Sequence, residues 1–434
     1  MRHPKGLYLL FFTEMWERFS YYGMRALLVL YLTKTFIDGG LGFSDGSATM
    51  LYGIFTGFVY FSPLIGGWIA DNYIGQRKSI IIGSIVMILG QFILASGQNT
   101  GCLYTGLIFI IIGNGFFKPN ISVLLGSLYP QGDSRRDSAF TIFYMGINTG
   151  AFLAPLLTGY VAVMYDYRYG FLISGLGLLI GSVIYLLGSE KLLGDAGKLP
   201  SAKKNIDTNI DSKLTSEEKD RTWVIVVLTL FAVAFFAGFE QAGSSMTLYA
   251  DKFIDRVVFD KLVPTEWFQA VNPLFIITIA PLMSMLWGFL SRRGKEPSVP
   301  VKMGYGLILL GLGFMILLMA VVQRGGDVSS TQVKANIWFL IGAYFLHTVG
   351  ELCLSPIGLS MVTKLSPLKL SSLMMGVWLA SSAVANLLAG FLATFASKAG
   401  ASYVFIALTI SSVFLGLVLI VISRSLIRLS HNRL

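Results

Sequence analysis

Charge is scarce in this chain: only 13% of its 434 residues are Asp, Glu, Lys or Arg, where a soluble protein carries about 25%. That shortage excludes an ordinary water-soluble enzyme, a disordered chain and a nucleic-acid-binding protein. Cysteine occurs twice, at Cys102 and Cys353, each inside an apolar run. Neither a disulfide framework nor a metal cluster is expected from two such residues. The three histidines are His3, His347 and His431, too dispersed for a metal-ligand set. No G-x-x-x-x-G-K-[ST] loop occurs, so ATP is not expected to drive anything here. No cofactor is expected. The first residues lead straight into a run too long for the apolar core of a signal peptide, so no cleaved signal is expected.

What the chain has in abundance is apolar sequence, 54% hydrophobic residues, in runs of roughly 20, the length that crosses a bilayer as a helix. The runs predict an all-α membrane protein with twelve transmembrane helices near 6–33, 47–72, 79–98, 102–124, 138–163, 169–188, 222–250, 266–290, 300–322, 336–363, 371–397 and 402–424. Twelve spans leave no room for a folded soluble domain. Residues 189–221 break the rhythm with a dense mixture of acidic and basic residues. They read as a flexible or partly helical linker joining six-helix bundles at 1–188 and 222–434.

The formal charge of +10 has a topological explanation. Most of the 33 Lys and Arg fall at the termini and in the even-numbered connectors. Positive residues mark the cytoplasmic side, so both termini and the linker are expected there, in a cell membrane. The partner implied is a lipid bilayer, not nucleic acid.

An internal repeat supports two halves. Pro119 and Pro130 match Pro356 and Pro367 at the same spacing, late in helices four and ten. The connector after helix two, Gly67-Trp-Ile-Ala-Asp71-Asn-Tyr-Ile-Gly75-Gln-Arg77-Lys78, resembles the signature loop of the major facilitator superfamily. Asp71 and Arg77 would cap helix ends there and lock the loop in one conformational state. The motif carries no information about substrate.

Seven ionisable residues stand out inside the spans: Glu14, Glu17, Arg18, Arg25, Lys118, Glu240 and Glu351. Each costs at least ~2.5–3.5 kcal/mol at a helix centre, so they must face water or one another. On helix one, Glu14, Arg18, Tyr21 and Arg25 fall within about 60° of arc and climb about 16 Å. Glu17 and Tyr22 flank this stripe. Two explanations compete: inert pairs tying the bundle together, or the lining of an aqueous cavity. The length of the stripe, with complementary charges on three further helices, favours the cavity. Four acids against three bases leave one carboxylate unmatched, a place for a transported proton. Tyr60, Asn148, Asn272 and Gln241 fit interhelical hydrogen bonding as well as a site.

The string Glu14-Met-Trp-Glu17-Arg18-Phe19-Ser-Tyr21-Tyr22-Gly23-Met-Arg25 resembles the E-x-x-E-R-F-x-Y-Y-G-x-R signature of proton-coupled oligopeptide transporters. Gly113-Asn-Gly-Phe-Phe-Lys118-Pro119-Asn120, Phe143-Tyr144-Met-Gly-Ile-Asn148-Thr-Gly150 and Gly350-Glu351-Leu-Cys-Leu-Ser355-Pro356 agree with it. The resemblance implies the major facilitator fold and a proton-driven symporter that imports di- and tripeptides by alternating access, working as a monomer. It implies that Arg18, Lys118 and Tyr22 hold the peptide carboxylate, and that Glu351, with Asn148 and Asn272, holds the ammonium. Tyr21, Tyr60 and Trp378 would line side-chain pockets. Glu14, Glu17 and Arg18 would couple the proton. Arg25–Glu240 and Lys118–Glu351 would form gate pairs, Arg25 also bordering the substrate.

The sequence departs from family patterns at three points. The linker is too short and polar for the two extra helices many bacterial members insert, and Phe236 stands where a Trp is usual. The stretch after helix nine has no extracellular domain of the animal type. A nitrate or small-anion carrier, as among plant relatives, is the alternative within transporters; Glu14 and Glu17 argue against an anionic substrate. A membrane sensor that binds peptide without moving it is the alternative outside transport, and it lacks an output domain. No nucleophile–base pair or metal constellation suggests an enzyme.

Overall fold

The computed structural model describes residues 3–130, 133, 135–200, 214–327, 332–367 and 370–431. Its helices are α1 Lys5–Thr33, α2 Asp45–Ile69, α3 Gln76–Ser96, α4 Thr100–Ser127, α5 Arg135–Met164, α6 Tyr167–Leu192 and α7 Ser216–Phe239. They continue as α8 Ser245–Phe253, α9 Val271–Arg292, α10 Val299–Gln323, α11 Ile337–Leu352, α12 Ser355–Leu365, α13 Ser371–Ala399 and α14 Ala401–Leu429. Strand content among the described residues is limited to two-residue pairings, such as Ile254–Asp255 alongside Ala335–Asn336. Eleven helical segments of the described residues are long and apolar enough to cross a membrane. α1 has the length, at 29 residues, but Glu14, Glu17, Arg18 and Arg25 dilute its apolar run.

Two expected spans are interrupted. The seventh breaks where α7 gives way to a 3₁₀ turn, Glu240–Gly243, before α8. Carbonyls released by such a break need new donors inside a membrane, and side chains supply them. Gln241 Nε2 donates to Ala237 O (3.2 Å) and Thr247 Oγ1 to Ala242 O (2.8 Å), while Gln241 Nε2 also ties the break to Ala389 O of α13 (3.0 Å). The tenth span breaks at Cys353–Leu354, and Pro356, lacking an N–H, sits in the first turn of α12. Its repeat partner Pro119 lies inside the continuous α4, so the two matched prolines have different conformations. α2 closes in a π-helical turn, Ala70–Ile74, ended by Gly75 at φ +79°.

The chain forms two compact units, neither of them a continuous stretch. The first comprises Met1–Ser44, Phe58–Thr208 and Pro264–Pro273; the second comprises Asp45–Gly57, Asn209–Val263 and Leu274–Leu434. Small residues permit the exchanged pieces to pack closely. In the second unit a Cβ on Gly53 would lie 2.6 Å from Gly390 Cα. Thr394 Oγ1 donates to Gly46 O (3.1 Å) and Lys252 Nζ pairs with Asp45 (2.5 Å). In the first unit, Trp267 Nε1 donates to Leu156 O (3.0 Å), and Gly159 leaves room for the Glu266 side chain.

The expected linker is shorter than 189–221. α6 runs to Leu192, and α7 starts at Ser216 behind a capping box between Thr215 and Glu218. Leu193 is buried in the apolar cluster of the first unit with Phe117, Ile121 and Leu124. Ala196 packs against the same cluster, and Ala196 O and Gly194 O accept from the Arg77 guanidinium, so the start of this segment is held. The charged residues Lys203, Lys204, Asp207, Asp211 and Lys213 lie outside the described residues.

Candidate functional site

α1 supplies the densest group of buried charge. Arg18 lies one turn after Glu14 and beside Glu17, and the three side chains are at most 4% exposed. Arg18 Nη2 donates to Glu17 Oε1 (2.7 Å) and Nε donates to Glu17 Oε2, a two-bond fork. The same Nε stands 3.2 Å from Glu14 Oε1. Glu14 Oε2 is buried without a hydrogen-bond partner among the described residues. Two carboxylates thus share one guanidinium, and the trio carries a net negative charge when both are ionised.

Aromatic rings continue the stripe along α1. The Arg18 guanidinium stands 5.3 Å from the Tyr21 ring centre and that of Arg25 5.8 Å from Tyr22. The two tyrosine rings meet edge to face at 5.4 Å. Lys118 of α4 places its ammonium 4.1 Å from the Tyr60 ring of α2, a cation–π geometry. The structure therefore brings Glu14, Glu17, Arg18, Tyr21, Tyr22 and Arg25 into one stripe, and joins Lys118 to Tyr60.

The helices carrying these groups approach closely because glycines face them. A Cβ on Gly150 of α5 would press on Met15 O and lie 3.0 Å from Phe19 N; one on Gly146 would lie 2.9 Å from the Phe11 ring. On α4 a Cβ at Gly113 would lie 2.6 Å from Gly83 O, and one at Gly115 2.9 Å from Ser62 O. Asn114 Nδ2 donates to Val59 O at 2.8 Å, tying α4 to α2. Asn148 is buried on α5 and donates to Tyr144 O of its own helix at 2.9 Å. Asn272 is half-buried in the first turn of α9, in the piece that belongs to the first unit.

Glu240, Glu351 and Trp378 belong to the second unit. Glu240 opens the 3₁₀ turn and is buried. Glu351 is half-buried in the last turn of α11, just before the chain breaks. Trp378 is 6% exposed and covers Gly358 of α12. His347, one turn before Glu351, is buried with Nε2 at 3.2 Å from Leu310 O. Among the described residues no three His, Cys, Asp or Glu side chains gather as a metal site.

Several buried charges went unread in the sequence, Glu266 and Lys302 among them, with Arg324 5% exposed against the Phe253 ring. Glu266 is 1% exposed on the short 3₁₀ helix Thr265–Ala270 and receives the Tyr167 hydroxyl at 3.4 Å. It stood at the edge of an expected span, where hydropathy gives no signal. Lys302, 7% exposed on α10, pairs with Glu296 at 2.5 Å and stands 4.7 Å from the Trp287 ring. Its hydrogen bond holds the Glu296 carboxyl, in the α9–α10 connection, below the usual range.

A family model described as the POT family matches residues 77–206 and 193–411. The chain is 36% identical to the uncharacterized transporter YclF of Bacillus subtilis (strain 168), over 97% of this chain and 94% of the relative. It is 32% identical to a di-/tripeptide transporter of Lactococcus lactis subsp. cremoris, over 98% and 96%. Among solved structures it is similar to a variant of a peptide transporter POT in complex with alafosfalin. That match has a TM-score of 0.91 at 34% identity and covers 98% of this chain and 96% of the other.

Proposed function

This chain belongs to the POT family, and we propose that it is a proton-driven importer of di- and tripeptides across the cell membrane. It is a multi-pass membrane transporter of the major facilitator fold, not an enzyme. The observation that carries the substrate reading is the buried Glu14–Arg18–Glu17 cluster and its tyrosines on α1. Buried charge of this density is expensive beside lipid and is accounted for by a wet pathway.

In this reading Arg18 and Lys118, with Tyr22, receive the peptide carboxylate, for which a forked guanidinium and a compact ammonium suit two kinds of approach. Glu351, with Asn148 and Asn272, receives the ammonium. Tyr21, Tyr60 and Trp378 accept side chains of many shapes, so the charged ends rather than the sequence of the peptide are recognised. Protonation of Glu14 or Glu17 loosens the hold on Arg18 and frees it for the carboxylate, so proton and peptide binding favour each other. The unpartnered Glu14 Oε2 supports that residue as the proton's seat. Arg25–Glu240 and Lys118–Glu351 act as gate pairs, made and broken as the carrier alternates. Both termini and the linker face the cytoplasm, and the monomer is the working unit.

The test is uptake of labelled dialanine into proteoliposomes under an inward proton gradient. Accumulation that a protonophore abolishes is expected; equal uptake with the protonophore refutes coupling. Arg18→Ala and Lys118→Ala should each weaken dialanine binding, and unchanged affinity removes that residue from the clamp. Glu14 and Glu17 would repel nitrate, and competition among peptides, amino acids and nitrate separates the two substrate classes.

A further inference from the structure

After α8 the chain makes a tight hairpin. Ile254–Asp255 runs parallel to Ala335–Asn336, with Asp255 opposite Asn336. Val257–Val258 then pairs antiparallel with Lys261–Leu262, Val258 opposite Lys261, so the turn consists of Phe259 and Asp260 alone. Both have positive φ, +50° and +59°, the pattern of a type I′ turn, in which Asn-Gly and Asp-Gly are usual. A bulky side chain in that region is a rare outlier. Phe259 stands there all the same and is 95% exposed. Val257 and Leu262, opposite one another on the two strands, are exposed as well. Glycine would suit this backbone better and would leave no ring in water, so the ring has a use outside the fold.

The base of the hairpin is fixed. Arg256 Nη1 donates to Val263 O at 3.0 Å, Nη2 pairs with Asp251 at 3.2 Å, and Val263 N donates to Arg256 O at 2.9 Å. The spans that it joins set its level. One span ends at Phe253, directly before Ile254, and another starts at Ile337, directly after Asn336. Trp338, in the first turn of the latter, is 72% exposed, an amphipathic ring at the height of a bilayer's aromatic belt. Phe259 lies three residues beyond Arg256, about 10 Å at full extension. The headgroup layer is itself roughly 5–8 Å thick, so a hairpin this short, rooted at the belt, has that layer within reach. Charge gives the tip no strong preference: Lys261 stands against Asp255 and Asp260, and Arg256 is taken up by Asp251.

We propose that the 257–262 hairpin is a membrane-interface anchor, with Phe259, Val257 and Leu262 entering the headgroup region of the bilayer beside the span that starts at Ile337. Its partner is lipid, held by apolar insertion and not by headgroup charge. The anchor requires only that the chain spans a membrane and is independent of what it carries.

Nitroxide depth measurement on the full-length protein in phosphatidylcholine vesicles tests this. Cys102→Ser removes the accessible thiol, Cys353 being buried, and single labels are placed at Leu262→Cys, Val421→Cys and Asp195→Cys. Val421 is 79% exposed within α14, and the Asp195 side chain is 97% exposed after α6, so they mark lipid and water. The Leu262 label should collide readily with oxygen and poorly with a water-soluble nickel chelate, as at Val421, and added salt should change neither. Phe259→Asn keeps a residue that tolerates positive φ and removes the ring. It should shift the hairpin toward water about tenfold, the low end for moving a Phe side chain out of an apolar setting, and the Leu262 label should gain chelate collisions accordingly. Unchanged oxygen collisions at Val421 show that the variant has folded. A Leu262 label as open to chelate as Asp195 overturns the anchor and leaves the tip to a soluble partner. Protection that salt abolishes, or that persists in full in Phe259→Asn, overturns it as well.

Discussion

Arg18 is held by two carboxylates with unequal grips, and the inequality predicts which one can give up its charge. Glu17 takes two guanidinium nitrogens, one of them at 2.7 Å. Glu14 offers a single oxygen at 3.2 Å, and its other oxygen has no hydrogen-bond partner among the described residues. Glu17→Gln breaks the two-bond fork and leaves Arg18 with the longer contact to Glu14 alone, so its cost should be that of a charged hydrogen bond, about 1.5–3 kcal/mol. Glu14→Gln leaves the fork intact and makes the trio neutral, so its cost should be about 1 kcal/mol, that of an ordinary hydrogen bond. One pH unit is worth about 1.4 kcal/mol per proton, so a carrier coupled to one proton accumulates peptide about tenfold across that step. In proteoliposomes Glu14→Gln should therefore bring the inside-to-outside dialanine ratio close to one, with counterflow retained and a nearly unchanged melting temperature. Glu17→Gln should lose the gradient and melt earlier. A tenfold plateau in Glu14→Gln refutes the assignment of the proton to that carboxylate.

Gly150→Leu would drive a side chain against Met15 O and Phe19 N, an overpacking of about 1–3 kcal/mol visible as a lower melting temperature in detergent. Gln241→Leu strips the donor from Ala237 O at the break and cuts the tie to Ala389 O of α13 and should cost about 1–3 kcal/mol, again read by thermal melting; an unchanged melt shows that the helix break needs no such donor. Hydrogen bonds from Arg135 pull the Asp133 carboxyl down to about 2. Its folded value lies below the ordinary one near 4, so its contribution is complete above that value and disappears as pH falls through about 2. Hydrogen-exchange protection of the Arg135 amide, which donates to Asp133 Oδ1 at 2.9 Å, should be the same at pH 5 and pH 7 and lost in Asp133→Ala, which removes the acceptor.

Hydropathy alone determined that this chain is a bundle of membrane-crossing helices, because runs of apolar residues have one cheap destination. The charged stripe on α1 was equally legible: helical periodicity puts Glu14, Arg18, Tyr21 and Arg25 on one face whatever the neighbours do. Tertiary structure decided what periodicity cannot express. Which carboxylate forks onto Arg18 depends on rotamers set by packing. Whether a proline interrupts a helix is not set by its place in a sequence repeat, as the contrast of Pro119 inside α4 with Pro356 in the first turn of α12 shows. Leu193–Lys198 looked like tether because it carries as many charges as apolar residues, yet a buried guanidinium, Gly75 on the distant turn and its own Gly197 let it pack there. Glu266 and Lys302 escaped notice because a single charge at the end of an apolar run looks solvated until a neighbouring helix covers it. Local sequence fixes what each segment prefers; burial of backbone donors and of isolated charges is settled only when the segments meet.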